Sequence, residues 1–272
     1  SKEEKFRRHR KLMKKLFYLF ITFISTALSS CTDNDSLHDK NELLSVECYT
    51  RTSENEKNIV HDFSMYIFSN NFNGYPGVIN PTHVTYSHGW DFPPISLSDE
   101  IANIYCFYPY TGEADCKSLE LELIDQTDYL ASNVVTANNK NPKVSIVMKH
   151  ILSKISVRID GSNQCKVDLL SIPTKGTYNL QTDEITPGEQ SDLTTNSSDI
   201  YIFPCKEKQL KMNITYNGKE YDYIEIASDY EAGKEYTFNL TINNNKDLVI
   251  EGDVIITDWQ PAGDFEGSVN EK

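Results

Sequence analysis

Between residues 144 and 159 the chain alternates apolar and polar side chains, and the alternation changes phase partway. Val144, Ile146 and Met148 share one parity, whereas Ile155, Val157 and Ile159 share the other. A period of two marks a strand, because successive side chains point to opposite faces. A one-residue phase change carries the buried set to the other face, so this strand must bulge or bend near Lys149 and His150. Bent strands of this kind serve two packed sheets at once. The stretch argues against a helical body and for sheets packed face to face.

The same period recurs along the chain. Leu44, Val46 and Cys48 alternate with polar neighbours, as do Phe63, Met65 and Ile67, and Leu119, Leu121 and Leu123 alternate with Glu120 and Glu122. Leu210, Met212, Ile214 and Tyr216 form another set, followed by Asn217-Gly218, whose tolerance of positive φ suits a tight hairpin. Tyr236, Phe238, Leu240 and Ile242 follow, and residues 248–259 read as a last strand. Residues 75–94, rich in Pro and Gly, predict strand fragments and loops, and residues 104–110 an aromatic strand. Only residues 125–132 suggest a short helix. The Asn-rich break at 138–142 divides two expected antiparallel β-sandwich domains, 43–142 and 143–272, in an all-β chain.

Residues 1–30 carry a different message. Lys14 and Lys15 precede a thirteen-residue apolar run, 16–28, that is too short to span a bilayer, which takes about 20 residues. With Leu28-Ser29-Ser30-Cys31 behind it, this predicts a cleaved signal peptide. The first twelve residues, before Met13, read as leader or as an extended basic region. The last four residues resemble a lipobox, in which Cys31 is acylated and becomes the new N-terminus. Residues 31–42 are then an acidic linker, and the expected location is an outer-membrane lipoprotein facing the cell exterior. The membrane itself is a partner through the lipid anchor.

Charge narrows the partners. The chain has a formal net charge of −14, and residues 1–30 hold eight Lys/Arg and two Glu, leaving 18 basic and 38 acidic side chains beyond them. A field near −20 excludes nucleic acid as a natural partner. Cys48, Cys106, Cys116, Cys165 and Cys205 match no metal spacing, and no CxxC occurs. Several lie beside apolar strands and read as buried thiols, although the compartment permits disulfides and the odd count leaves pairing open. The histidines are scattered, with no metal or catalytic spacing, so neither metal, cofactor nor enzymatic activity is expected. His150 reads as a corner histidine and Trp259 as core. Asp125 and Asp128 suit loop hydrogen bonding. Trp90, between Gly89 and Asp91, is the one candidate for stacking on a sugar ring.

Five segments then carry a resemblance. Residues 144–157, with Lys149-His150 and Leu152-Ser153-Lys154, resemble a strand of Bacteroidetes fimbrillin-like lipoproteins. So do Tyr105 to Tyr110 around Pro109, Asp125 to Leu130, Gly233 to Leu240, and Ile255 to Trp259, in the same order. The resemblance implies transthyretin-like sandwiches and a pilus stalk, anchor or tip subunit working in adhesion and assembly. It also implies cleavage after an Arg, here Arg51, releasing the first strand so that another subunit's strand takes its place. Since residues 260–272 are polar, residues 248–259 are the expected donor strand. Expected partners are other pilin subunits and a host or bacterial surface ligand or glycan. The alternative is a surface glycan-binding lipoprotein of a polysaccharide-uptake system.

Overall fold

The computed structural model describes residues 42–53, 56–224 and 227–259; the signal segment and Cys31 lie outside them. Among the described residues nearly every element is a strand, and the one helical element is a single 3-10 turn at Asn70–Phe72. The helix expected within 125–132 is instead a turn leading into the strand Leu130–Ser132, because Gln126 takes φ 52°, outside the right-handed helical region.

The first half is built on a nine-stranded sheet. Its order is Glu56–Ile59, Ser45–Ser53, Lys143–His150, Leu130–Ser132, Ala102–Tyr108, Phe63–Phe68, Thr82–Tyr86 and Trp90–Asp91, with Val135–Ala137 alongside Ala102–Tyr108. The alternation places Val46, Cys48, Ile146 and Met148 on one inward face and Met65, Ile67, Ile104 and Cys106 on another. All eight join one buried cluster, so both sets face the same core.

In the second half, Asp199–Ile202, Ser153–Ile159 and Lys234–Ile242 lie side by side, with Leu248–Ile250 and Ile255–Asp258 both on the far side of Lys234–Ile242. A four-stranded sheet containing Lys166–Pro173 and Lys211–Tyr216 closes the other side of a core that includes Val157, Leu169, Ile214 and Phe238. Asn217 and Gly218 both adopt positive φ between Lys211–Tyr216 and Lys219–Ile224, as the hairpin signal requires.

Four expectations are corrected here. The sandwiches are not purely antiparallel: Ser45–Ser53 runs parallel to Lys143–His150, and Ser153–Ile159 runs parallel to Lys234–Ile242. Both pairs join strands far apart in sequence, and the long connections between them allow the second strand to return in the same sense. The hand-over between halves falls at Ile151–Leu152, later than the break expected at 142, because Lys143–His150 still pairs within the first sheet. Leu119–Glu122, expected in the first sandwich, pairs with Lys175–Asn179, and Leu119, Leu121 and Leu123 pack in the second core beside Tyr66 and Phe107. The last strand is interrupted: Leu248–Ile250 and Ile255–Asp258 are separate elements.

The packing within the second half is tight at Gly176. A Cβ there would stand 2.8 Å from the Thr186 carbonyl oxygen and 3.3 Å from the Phe203 ring. The backbone oxygen sits in a ladder and has no room to yield. Gly176→Ala is therefore expected to destabilise by about 1–3 kcal/mol, read as a fall in the urea midpoint with an unchanged slope.

On the outer face of the second half, charges cross three strands. Arg158 donates to Asp199 at 2.8 Å, the Lys154 ammonium lies 3.2 Å from Glu235, and Ser156 donates to Glu235 at 2.6 Å. Burial alone would raise the Asp199 carboxyl, but the Arg158 hydrogen bond and the charges of Lys154 and Arg158 outweigh it and hold that group below the usual carboxylate range. The folded value is the lower one, so this stabilisation is complete above an unfolded value near about 4 and fades as pH falls through the folded value. Asp199→Asn should therefore flatten the acid limb of stability, measured by urea titrations between about pH 5 and about pH 2.5.

Candidate functional site

The first strand is the element on which strand exchange would act. Ser45–Ser53 lies between two neighbours, pairing through Ser45–Tyr49 with Lys143–Val147 and through Tyr49–Ser53 with Glu56–Ile59. Leu44, Val46 and Cys48 point into the first core and are buried, as are Tyr49 and Thr50. Arg51 lies inside this strand, opposite Lys57, rather than just past its end as the sequence suggested. The register slips between Arg51 and Ser53, which leaves Thr52 as the extra residue of a bulge. The bond after Arg51 thus sits in a two-stranded hairpin, beyond the last pair that ties the strand to Lys143–His150. Cys106 faces the same core: burial first, and then the nearby Cys48, push its thiol well up, so it is held neutral and unreactive while the strand is in place. Among the described residues all five cysteines are free thiols.

A second constellation forms where the halves meet, and four of the five segments behind the resemblance converge there. His150 ends its strand and is 6% exposed. Its Nδ1 lies 2.8 Å from an Asp128 carboxylate oxygen, so the neutral ring carries its proton on Nδ1 and donates it to Asp128. Nε2 is then an acceptor, buried and without a hydrogen-bond partner among the described residues. The ring stacks on Trp259 with centroids 4.0 Å apart and planes 10° from parallel, and Tyr201 covers Trp259 at 4.7 Å. Trp259 donates its backbone N–H to the Gly233 carbonyl at 2.8 Å, and Ile151 donates to Tyr129 at 3.1 Å. Gln126 adds a further tie: Tyr201 donates its backbone N–H to the Gln126 side-chain oxygen at 2.6 Å, and the Gln126 amide donates to Leu123 at 2.7 Å and Tyr201 at 3.4 Å.

A cavity of about 320 Å³ opens beside this cluster, lined by Lys149, His150, Tyr178, Asp183 and Gly233 among others. Three of its polar groups, Tyr178, Asp183 and Lys149, are spent on one another. Tyr178 donates to Asp183 at 2.7 Å, and Lys149 pairs with the other Asp183 oxygen. Burial, then the Asp183 hydrogen bond, push the Tyr178 phenol up, away from acid–base work.

Trp90 does not stand free in a loop. It forms the short strand Trp90–Asp91 opposite Tyr86, half-buried against the first core, with its ring set edgewise to Phe63 at 6.1 Å and tilted on Tyr86 at 4.8 Å. His61 and His83 engage Tyr86 and Asp62 separately, and the described residues hold no grouping of His, Cys, Asp or Glu suited to a metal ion. Sequence reasoning took His150 and Trp259 as separate core residues and missed that they touch. It also missed Gln126, Tyr201 and Gly233, for which local pattern offers no signal.

The fold finds counterparts. A fimbrillin-like family model matches residues 41–259. Among solved structures, a protein assigned to cell adhesion from Bacteroides uniformis ATCC 8492 is 18% identical with a TM-score of 0.62, covering 80% of this chain and 99% of its own. Another assigned to cell adhesion, from Bacteroides ovatus ATCC 8483, is 17% identical with a TM-score of 0.59, covering 81% and 98%. A fimbrial protein from Bacteroides vulgatus ATCC 8482 is 14% identical with a TM-score of 0.51, covering 80% and 100%. These likenesses concern the fold. Among curated proteins none matches. Matched from residue 41, before its first long strand, to Trp259, the chain belongs to the fimbrillin-like family.

Proposed function

We propose that this chain is a fimbrial subunit of the bacterial surface. It reaches the outer membrane as a lipoprotein acylated at Cys31 and joins other subunits by strand exchange after cleavage between Arg51 and Thr52. The observation that carries this reading is the placement of Arg51: it lies in a strand whose inward side chains plug the first core, yet the bond after it sits at a bulge outside the parallel ladder. Cleavage there would cut the strand's only covalent link to the rest of the sheet and leave a slot lined by main-chain donors and acceptors, ready for β-augmentation. The adhesion and fimbrial names of the similar structures support this reading over glycan uptake, for which Trp90, packed as it is, offers little free ring face.

Mass spectrometry of the mature N-terminus tests it. Protein sheared from the cell surface should begin at Thr52, and the membrane-bound precursor should begin at acylated Cys31. Surface protein that begins only at Cys31 would remove the polymerising role.

A further inference from the structure

We propose that the first half of the molecule rests on the lipid surface that holds its anchor, with Ile79 and the uncharged loop around it set into the headgroup layer. The proposal rests on the reading of Cys31 as the acylated residue and adds to it a docking face on the folded body.

The registers of the first sheet bring five strand termini to one end. Leu130 stands opposite both His150 and Tyr108, so the strands that these two residues close also begin at one common end. Ser45–Ser53 runs parallel to Lys143–His150 and begins there, with Ser45 opposite Lys143. Phe63–Phe68 and Val135–Ala137 finish there, with Phe68 opposite Asn103 and Ala137 opposite Ala102. The passage to the second half leaves from the other end, after His150. The chain therefore enters the first half at the end away from that passage, through Glu42–Leu43. The eleven residues from Cys31 to Glu42 span at most about 40 Å, so an anchored molecule keeps this end near the lipid.

This end carries apolar surface. Leu43, Phe72 and Ile101 are exposed, and Ile79, at 88%, is the most exposed large apolar side chain among the described residues. The loop that carries Ile79 is also free of charge. Residues 63–90 contain no Asp, Glu, Lys or Arg, in a chain that is 24% charged. The polar side chains beside the tip are amides, Asn70, Asn71, Asn73 and Asn80. Such a loop can enter a headgroup layer without taking an ion out of water. Around it, the exposed Glu42, Asp99 and Glu100 are largely offset by Lys140 and Lys143, which suits zwitterionic headgroups despite the net charge of −14.

The tip is held in place. Ile67 donates its backbone N–H to the Asn80 side-chain oxygen, and the Asn80 amide donates back to the Ile67 carbonyl, both at 2.9 Å. Val78 donates to the Tyr75 carbonyl at 3.1 Å, and the buried Tyr75 hydroxyl accepts the Ser98 backbone N–H at 3.0 Å. These bonds tie the loop of Ile79 to the segment that carries Ile101. A knob already fixed in place loses little conformational freedom when it is covered. The tether supplies a high effective concentration of lipid, so shallow insertion of a few apolar side chains suffices to orient the body.

The test uses protein recovered from cells that process it, with Cys205→Ser to remove the half-exposed thiol among the described cysteines. Mass spectrometry of residue 31 reads the anchor separately. Lipidated protein enters vesicles of brominated phosphatidylcholine directly; protein without lipid is coupled to the same vesicles through the Cys31 thiol and a maleimide lipid, so docking is measured under either result. Asn73→Trp reports on the tip and Ile124→Trp on an exposed site of the second half, each read against the fluorescence of the parent chain. The expected result is severalfold stronger quenching by bromine at residue 73 than at residue 124, lost when Ile79→Asp is added. Equal quenching at the two sites, or quenching at residue 73 that survives Ile79→Asp, overturns the proposal whatever residue 31 carries.

Discussion

Arg51→Ala is expected to leave the surface protein at its precursor length and to abolish its conversion into heat-labile ladders, with no loss of fold. The reason is the division of labour along the first strand. Residues 45–49 hold the parallel ladder and the inward side chains, while Arg51 and Thr52 lie beyond it in the bulged hairpin. In the wild-type chain, cleavage alone should not expel the strand. Burial of a side chain such as Leu44 or Val46 contributes about 1.5–3 kcal/mol, and the main-chain ladder is unaffected by the cut. Departure requires a competing strand. Cys106 supplies the readout, because it is fully buried in the core that Cys48 plugs. Alkylation of Cys106 should remain slow in the intact chain and in the cleaved, unpartnered chain, and rise only when the cleaved strand is lost. Rapid labelling of the uncleaved chain would contradict the assignment of this strand as the plug.

Trp259→Ala is expected to cost about 3–5 kcal/mol, the range for deleting a large buried aromatic side chain. For a chain of this size that is a fall in Tm of roughly 10 °C or more. The loss is concentrated: the ring is the sole deeply buried side chain among residues 255–259, and removing it exposes the face of His150. Trp259→Phe should recover part of the loss by keeping a stacked ring. Hydrogen exchange should show the amides of residues 234–237 losing more protection in the alanine variant than those of Ser153–Ile159, which fall only with global stability. Equal loss of protection would mean that Trp259 supports the whole second core rather than the docking of residues 255–258.

Much of the fold was legible because its strands bury one face. Leu119, Leu121 and Leu123 against two glutamates, or Val144, Ile146 and Met148 against polar neighbours, can be read only as period two, and the phase change at His150 located the crossing between sheets. Three things escaped. Phe63–Phe68 is buried on both faces, so Ser64 and Tyr66 masked its depth. The strands between 166 and 208 carry Ser, Thr and Pro, and a slip in pairing between Leu169 and Ile172, with Ser171 at φ 56°, breaks their alternation. Parallel pairing and the meeting of His150 with Trp259 depend on contacts 81 (Lys154 with Glu235), 98 (Ser45 with Lys143) and 109 (His150 with Trp259) residues apart, which local periodicity does not encode. The candidate site was legible as residue identities and not as a place: Arg51, His150 and Trp259 stood out, but the company they keep is tertiary.

The Gln126 amide has a further consequence. It occupies the outward hydrogen-bonding groups of Tyr201 on Asp199–Ile202, the outermost strand on that side of its sheet. With that rim stoppered at Tyr201, a strand added to this sheet would join at the opposite rim, along Leu248–Ile250 and Ile255–Asp258, so the sheet can grow in one direction only.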